Sequence, residues 1–380
     1  MSETKKATVH ESLFHLTKRT DVNPVRAMLI RLAAIVLGMV VCGLTAFLLI
    51  DKLHDNPGKI GDFYACFIKG SFASERKLWK FMKNMAILQC ISLAVTPAFR
   101  MRFWNIGAEG QTLMGVLGAI TVAFYFGGKL PEWQLLILMF LAALIYGAVW
   151  AVIPALFKAK WNTNETLFTL MMNYVATQLV AFFVILWEVP KGAGKIGIIN
   201  QSTEAGWLPQ IGDYKYLLNI LIVAALTILM YVYLNYSKHG YEIAVVGESE
   251  RTARYVGIKV EKVIIRTMLL SGAVCGIAGL LLVGGTDHTI TTTIADGRGF
   301  TAVMVSWLAK FNPIFMIFTS FLLVFLGRGA SEISTVFGLN QSFADILTGI
   351  ILFFIIGCEF FISYKISFRK SAKKEGKANV

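Results

Sequence analysis

Asn105-Ile106-Gly107-Ala108-Glu109-Gly110-Gln111 gathers a carboxylate and two amides inside a stretch that is otherwise apolar and continues to Gly127. Such groups can exchange hydrogen bonds with a polar solute. An ionisable side chain within a bilayer span costs about 2.5–3.5 kcal/mol, so it is expected to face a cavity or a partner. The interspersed glycines permit a helix break or close backbone approach. Polar side chains beside an interrupted helix are how many transporters build a site near mid-membrane. The alternative is that Glu109 sits near the inner surface, paired with Arg100 or Arg102.

Asp296-Gly297-Arg298-Gly299-Phe300 repeats this combination of charge, glycine and break at the head of another short apolar stretch. Asn173 lies inside the run 166–187, where an Asn serves either as glue between helices or in recognition. Asn162-Thr163-Asn164-Glu165-Thr166 opens the same run. Asn164 or Thr163 as N-cap, with Glu165 near the positive helix end, explains that motif without a functional role. Gly272 and Gly276 form a GxxxG, a spacing that lets helices approach closely. Between residues 240 and 258 the chain is charged in both signs; Ser249 reads as an N-cap, with acids beside it, Arg251 and Arg254 following, and a stop at Gly257. A short amphipathic helix outside the membrane is expected there.

Catalytic chemistry finds no support. HExxH and GxSxG are absent, and His10, His15, His54, His239 and His288 all fall in loops or tails. There is no GxxxxGK[ST], since Gly128-Lys129-Leu130 and Gly194-Lys195-Ile196 both lack the hydroxyl residue that would hold magnesium. Any ATP must therefore be bound by another chain. Cys42, Cys66, Cys90, Cys275 and Cys358 share no CxxC or metal-ligand spacing.

The elements that carry these motifs follow from composition. Apolar residues make up 56% of the chain and charged ones 16%, with a mean hydropathy of +0.64; a soluble domain is about 25% charged. Residues 135–157 and 166–187 contain no charge, and about 20 such residues span a hydrocarbon core as a helix. The expected fold is all-α and polytopic. About ten spans are read at 30–50, 82–99, 105–127, 134–157, 165–187, 216–235, 266–286, 296–310, 311–328 and 343–363, with helices interrupted near the centre. Residues 1–29 form a polar amino-terminal segment with no cleavable leader, 30–363 the membrane domain, and 364–380 a basic tail. The net charge of +13 is attributed to cytoplasmic Lys and Arg rather than to nucleic-acid binding. With ten crossings, most basic residues and both termini are cytoplasmic. Three further features are expected on the outer side: a short amphipathic helix at 63–72, an interfacial anchor at Trp207, and a Thr-rich lid or strand at 287–298.

Five segments in series, NIGAEGQ at 105–111, NETLFTLMMNY at 164–174, GYEIAVVGESERTARYVGI at 240–258, SGAVCGIAGLLLVGG at 271–285 and GRGFTAVMVSWLAKFNP at 297–313, resemble the permease subunits of bacterial ABC importers for nucleosides and simple sugars. This group is related to the ribose and branched-chain amino acid permeases. The likeness covers residues 30–360, and it is greatest to the larger permease of importers that use a basic-membrane-protein-type lipoprotein receptor. It implies a bacterial plasma-membrane protein paired with a second permease, supplied by that receptor and driven by an ATPase that carries ATP and magnesium; this chain holds no cofactor of its own. The ATPase-docking helix maps onto Gly247, Glu248, Ser249, Glu250, Arg251, Arg254 and Gly257. The substrate pathway is assigned to Asn105, Glu109, Gln111, Asn173 and Phe300. Arg298 stands where the family pattern has an aromatic residue, and Thr301, Trp307 and Lys310 also depart from it, so a sugar or riboflavin-like substrate stays open. The competing reading is an ion-coupled transporter acting alone, with Glu109, Asp345 or Glu359 binding the ion.

Overall fold

A backbone in hydrocarbon must satisfy its own hydrogen bonds, and this chain does so almost wholly with helices. The computed structural model describes residues 14–19, 24–50, 57–188, 190–212 and 214–368. In order, the helices are α1 (Pro24–Leu49), α2 (Ile60–Phe72), α3 (Glu75–Arg100), α4 (Ala108–Phe126), α5 (Glu132–Trp161), α6 (Glu165–Trp187), α7 (Leu217–Tyr236), α8 (Lys238–Glu248), α9 (Glu250–Tyr255), α10 (Val260–Leu282), α11 (Arg298–Leu308), α12 (Pro313–Phe337) and α13 (Gln341–Ser363). A π-helical turn, Val283–Asp287, extends α10. Strands β1 (Phe14–Lys18) and β2 (Tyr364–Phe368) form one antiparallel pair.

The chain divides into two compact units, residues 71–328 and residues 1–70 with 329–380. In the larger, α10 is the axis, and small residues let its neighbours close on it. A Cβ on Gly272 would run into the carbonyl of Gly147, and one on Gly276 into that of Ala143, so α5 packs against the GxxxG stripe as expected. One on Gly279 would stand 2.5 Å from the Val116 nitrogen of α4. In the smaller unit α1 and α13 pack through Gly38 against Ile351 and through an Arg31–Glu359 ion pair, with Arg31 Nε donating to Glu359 Oε1 at 2.7 Å. There the β1–β2 ladder pairs Phe14 with Phe368 and Lys18 with Tyr364, and Arg19 N–H donates to the Ser363 carbonyl at 2.9 Å.

Among the described residues seven helices are long and apolar enough to cross a membrane: α1, α5, α6, α7, α10 with its π turn, α12 and α13. The expected count of ten is therefore not matched by length and hydropathy. Charges dilute the start of α3 (Arg76, Lys77, Lys80, Lys83) and of α4 (Glu109). The stretch 296–310 holds only the 11-residue α11, about 16 Å at 1.5 Å per residue, half of a core about 30 Å thick. Yet the chain travels further here than that helix does. Along α3, Cys90 meets the Val274 carbonyl and Lys83 meets Asp287, so α10 runs antiparallel to it. Thr96 meets Met316 and Gln89 meets Ser320, so α12 does the same. Two parallel helices in succession require residues 288–312 to return between them, as a non-helical stretch followed by α11. Of the lid or strand expected at 287–298, no strand forms: residues 288–291 are irregular and 292–297 are turns, while 63–72 is helical as expected, within α2. All five cysteines are free and buried.

Candidate functional site

Helix α3 stops at Arg100, and residues 101–107 cross to α4 without helical structure. A helix start leaves backbone N–H groups without intrahelical partners, and here neighbouring side chains supply acceptors. Asn105 Oδ1 accepts from Gly107 N–H at 3.0 Å, and Asn173 Oδ1, from α6, accepts from Gly110 N–H at 2.8 Å. Asn173 Nδ2 donates to the Ile106 carbonyl at 2.9 Å, while Thr169 Oγ1 accepts from Ile106 N–H at 3.2 Å. Gln111 Nε2 donates to Asn105 Oδ1 at 3.0 Å, and Asn105 Nδ2 donates to Ser271 Oγ of α10 at 3.0 Å. Asn105, Gln111 and Asn173 are all buried.

Glu109 reaches the second break. Its Oε1 accepts from Gly297 N–H at 2.9 Å and its Oε2 from Gly299 N–H at 2.7 Å. These donors stand at the amino-terminal end of α11, where a negative charge is favoured by the helix dipole. The expected pairing of Glu109 with Arg100 or Arg102 is not what forms: Arg100 Nη1 donates to Asn235 Oδ1 instead, at 3.3 Å. Both glycines are required by geometry. Gly297 has φ +67°, and a Cβ on Gly299 would overlap the Glu109 backbone nitrogen. Arg298 donates back to the Ile294 carbonyl at 3.2 Å and lies 3.8 Å from Asp296. Phe300 follows on α11 with 44% of its surface exposed.

The structure thus brings Asn105, Glu109, Gln111 and Asn173 into one cluster that binds α4 to α6, α10 and α11, with Phe300 at its edge. Sequence reading missed Thr169, Ser271 and the Gly297 and Gly299 amides. Thr169 and Asn173 lie four residues apart, on one helix face, and that spacing was the available signal. Ser271 and the backbone donors carry no signal of their own.

The 247–257 segment lies beyond the far end of α3. Gly247 packs so closely that a Cβ there would strike the Arg100 carbonyl. Instead of one helix there are two. Gly247 and Glu248 end α8, and Ser249 caps α9 as expected, its Oγ accepting from Thr252 N–H at 3.2 Å. Glu250 stands in the first turn of α9, Arg251 is exposed, Arg254 pairs with Glu261 at 2.8 Å, and Gly257 ends the segment with φ +84°. Tyr255 is 93% exposed.

At the opposite end of α10, Trp207 is half-buried. Trp207 stacks on His288 (ring centroids 3.9 Å apart, 14° between planes) and its Nε1 donates to the Ile199 carbonyl at 3.1 Å. Burial lowers the His288 pKa below the ordinary histidine range. Glu188, just past α6, accepts from Gly192 and Gly194 N–H at 2.7 and 2.6 Å, which holds its carboxyl below the usual range.

The two breaks clasped by a carboxylate lie within a chain of several helices long and apolar enough to cross a membrane. Residues 79–356 match the family described as the branched-chain amino acid transport system permease component, and the chain belongs to it. It is a permease component of an ABC importer. It is similar to the guanosine ABC transporter permease NupP of Bacillus subtilis, at 30% identity over 93% of this chain and 98% of that one. It is also similar to a glucose ABC transporter permease of Haloferax volcanii (28%; 80% and 82% covered) and to the nucleoside permease NupB of Lactococcus lactis (26%; 88% and 92% covered).

Proposed function

We propose that this chain forms half of the pathway for a nucleoside, in an importer energised by a separate ATPase. The observation that carries the reading is the clasp between the α4 and α11 breaks. Asn105, Glu109, Gln111 and Asn173 hold the two broken helices in place, and the exposed Phe300 beside them meets the solute. The full-length similarity to guanosine and nucleoside permeases supports the substrate class. Glucose, the substrate named for the Haloferax relative, is the second reading. The second Bacillus subtilis guanosine permease, NupQ, is also similar to this chain, which favours a heterodimeric pair. A receptor lipoprotein would deliver the solute. ATP and magnesium would reside on the ATPase, docked over Gly247–Gly257 with Tyr255 at its centre.

An ion-coupled carrier would need acids free to load an ion. Glu109 is engaged by two backbone amides, Glu359 by Arg31, and Asp345 is exposed. The importer reading accommodates all three.

Ten crossings follow within this reading. The β1–β2 ladder holds both ends of the described chain on one side, so the number of crossings is even. Seven apolar helices are odd in number; α3, α4 and the return made by α11 and the turns before it bring the total to ten. The basic segments and α9 are then cytoplasmic.

The test is purification of the tagged chain from its native membrane, followed by uptake in proteoliposomes. A second permease and an ATPase should co-purify, and ATP-dependent guanosine uptake should exceed glucose uptake. Uptake by the lone chain on an ion gradient would sink the proposal.

A further inference from the structure

A cavity of about 710 Å³ lies not at the clasp but at the end of the 71–328 unit where α5 and α7 begin. Its floor is the end of the π turn, with Thr286 and His288, and the Trp207 ring stacked on His288. This floor is built rather than adventitious. Leu208 N–H donates to the Gly284 carbonyl at 2.7 Å and Ile199 N–H to the His288 carbonyl at 2.9 Å, so residues 199–208 are tied down over the π turn by backbone bonds on both sides of Trp207. The walls carry Tyr216, Gln210, Lys215 and Glu132, whose Oε1 also holds Gly206 N–H at 2.9 Å.

The volume suits a small molecule, since ligand sites are commonly about 300–1,000 Å³ with a few placed polar groups. The charges fix the class further. Glu132, Glu204 and Lys215 line the cavity, and Lys83, over the ring of the lining Tyr216, is matched by Asp287 at 3.2 Å. No single sign prevails, so neither an anion nor a cation is selected. An aromatic pair, Trp207 and His288, lining one cavity with amide, carboxylate and ammonium groups matches a neutral ring compound bearing several hydroxyls. The same wall communicates inward: Lys83 Nζ lies 5.4 Å from the Tyr216 ring centroid, and its partner Asp287 opens the stretch that leads to Gly297.

We propose that this cavity is an outer solute station, which takes a neutral hydroxyl-bearing ring compound before it enters the pathway. The proposal rests on the importer reading, which puts this end of the molecule outside.

The test uses the complete transporter in nanodiscs without its receptor, titrated with guanosine and with D-glucose. At least one probe should bind. Trp207→Ala should weaken binding by at least about tenfold, and Trp207→Phe, which keeps a ring, by no more than about threefold. Because Trp207 also braces its loop, Gln210→Ala, at an exposed side chain, is the second variant and should weaken binding several-fold. If neither probe binds the wild type, or if Trp207→Ala and Gln210→Ala bind like the wild type, the station does not exist. If these variants weaken receptor affinity while solute binding is unchanged, the cavity belongs to the receptor and the proposal is equally overturned. Failure of the importer reading would register separately, as wild-type ATP hydrolysis that the receptor does not stimulate.

Discussion

Glu109 acts as a cap for a helix to which it does not belong. Each hydrogen bond to a charged group contributes about 1.5–3 kcal/mol net, and a buried donor left unpaired costs a comparable amount. Glu109→Gln keeps one acceptor and should destabilise the chain by about 1.5–3 kcal/mol, whereas Glu109→Ala frees both α11 amides and should cost more. Gly299→Ala should be as harmful to uptake, since its Cβ would displace the Glu109 backbone. Thermal unfolding in detergent, measured alongside uptake, tests all three; a wild-type melting curve with full uptake for Glu109→Ala would remove the clasp from the mechanism. The acid was legible in the sequence because a carboxylate in an apolar run is conspicuous. Its partners were not, because a backbone N–H is the same in every residue and only the fold selects which two it meets.

His288 belongs to the same scale but responds to pH. Burial disfavours its charged form, Lys83 adds to this, and Asp287 and Glu204 oppose it. The folded ring therefore takes up a proton less readily than the unfolded one, whose pKa is about 6.5. The unfolded state binds the extra proton first as pH falls, so the stack on Trp207 is fully stable above that range and weakens below it. Protection factors for amide exchange across residues 199–208, with the intrinsic pH dependence of exchange divided out, should fall between pH 7 and 5.5 in the wild type. His288→Phe should flatten that dependence, and an unchanged profile in the variant would place the titration elsewhere.

At the scale of elements, caps and small-residue stripes were readable while helix lengths were not. Ser249 was identifiable as a cap because a hydroxyl residue before acids satisfies orphan amides wherever it occurs. Gly272 and Gly276 were readable because only a missing side chain admits a neighbouring backbone. By contrast, hydropathy joined 296–310 into one span, since it registers where apolar residues lie and not that Gly297, with φ +67°, turns the chain before α11 begins. With six residues, α9 is too short to persist alone, and its cap and its ion pair with Glu261 hold it in place. Tyr255 projects from it almost free of the fold. Tyr255→Ala should therefore leave the melting temperature of the permease unchanged and lower ATP-driven uptake by about tenfold, about 1.4 kcal/mol of coupling. Uptake equal to wild type would remove Tyr255 from the docking surface.

For the whole molecule, the ladder between residues 14–18 and 364–368 constrains topology more tightly than hydropathy does. Strand pairing across a hydrocarbon core is impossible, so everything between Arg19 and Ser363 must leave and re-enter one side equally often. An odd set of seven apolar helices cannot meet that condition. In the proposed ten-crossing topology the additional crossings are assigned to segments that hydropathy undervalues, α3 and α4 for their charges and the return between α10 and α12 for its turns. Single cysteines in an otherwise cysteine-free chain test this directly, because the five native thiols are all buried. Tyr255→Cys and Thr17→Cys should react with an impermeant maleimide only from the cytoplasmic side, and Gln210→Cys only from the outer side. Labelling of Thr17 and Gln210 from the same side would contradict the five crossings read between them, α1, α3, α4, α5 and α6; α3 and α4, the pair that carries the first break, would then not both cross, and the clasp would lose its place in a pathway.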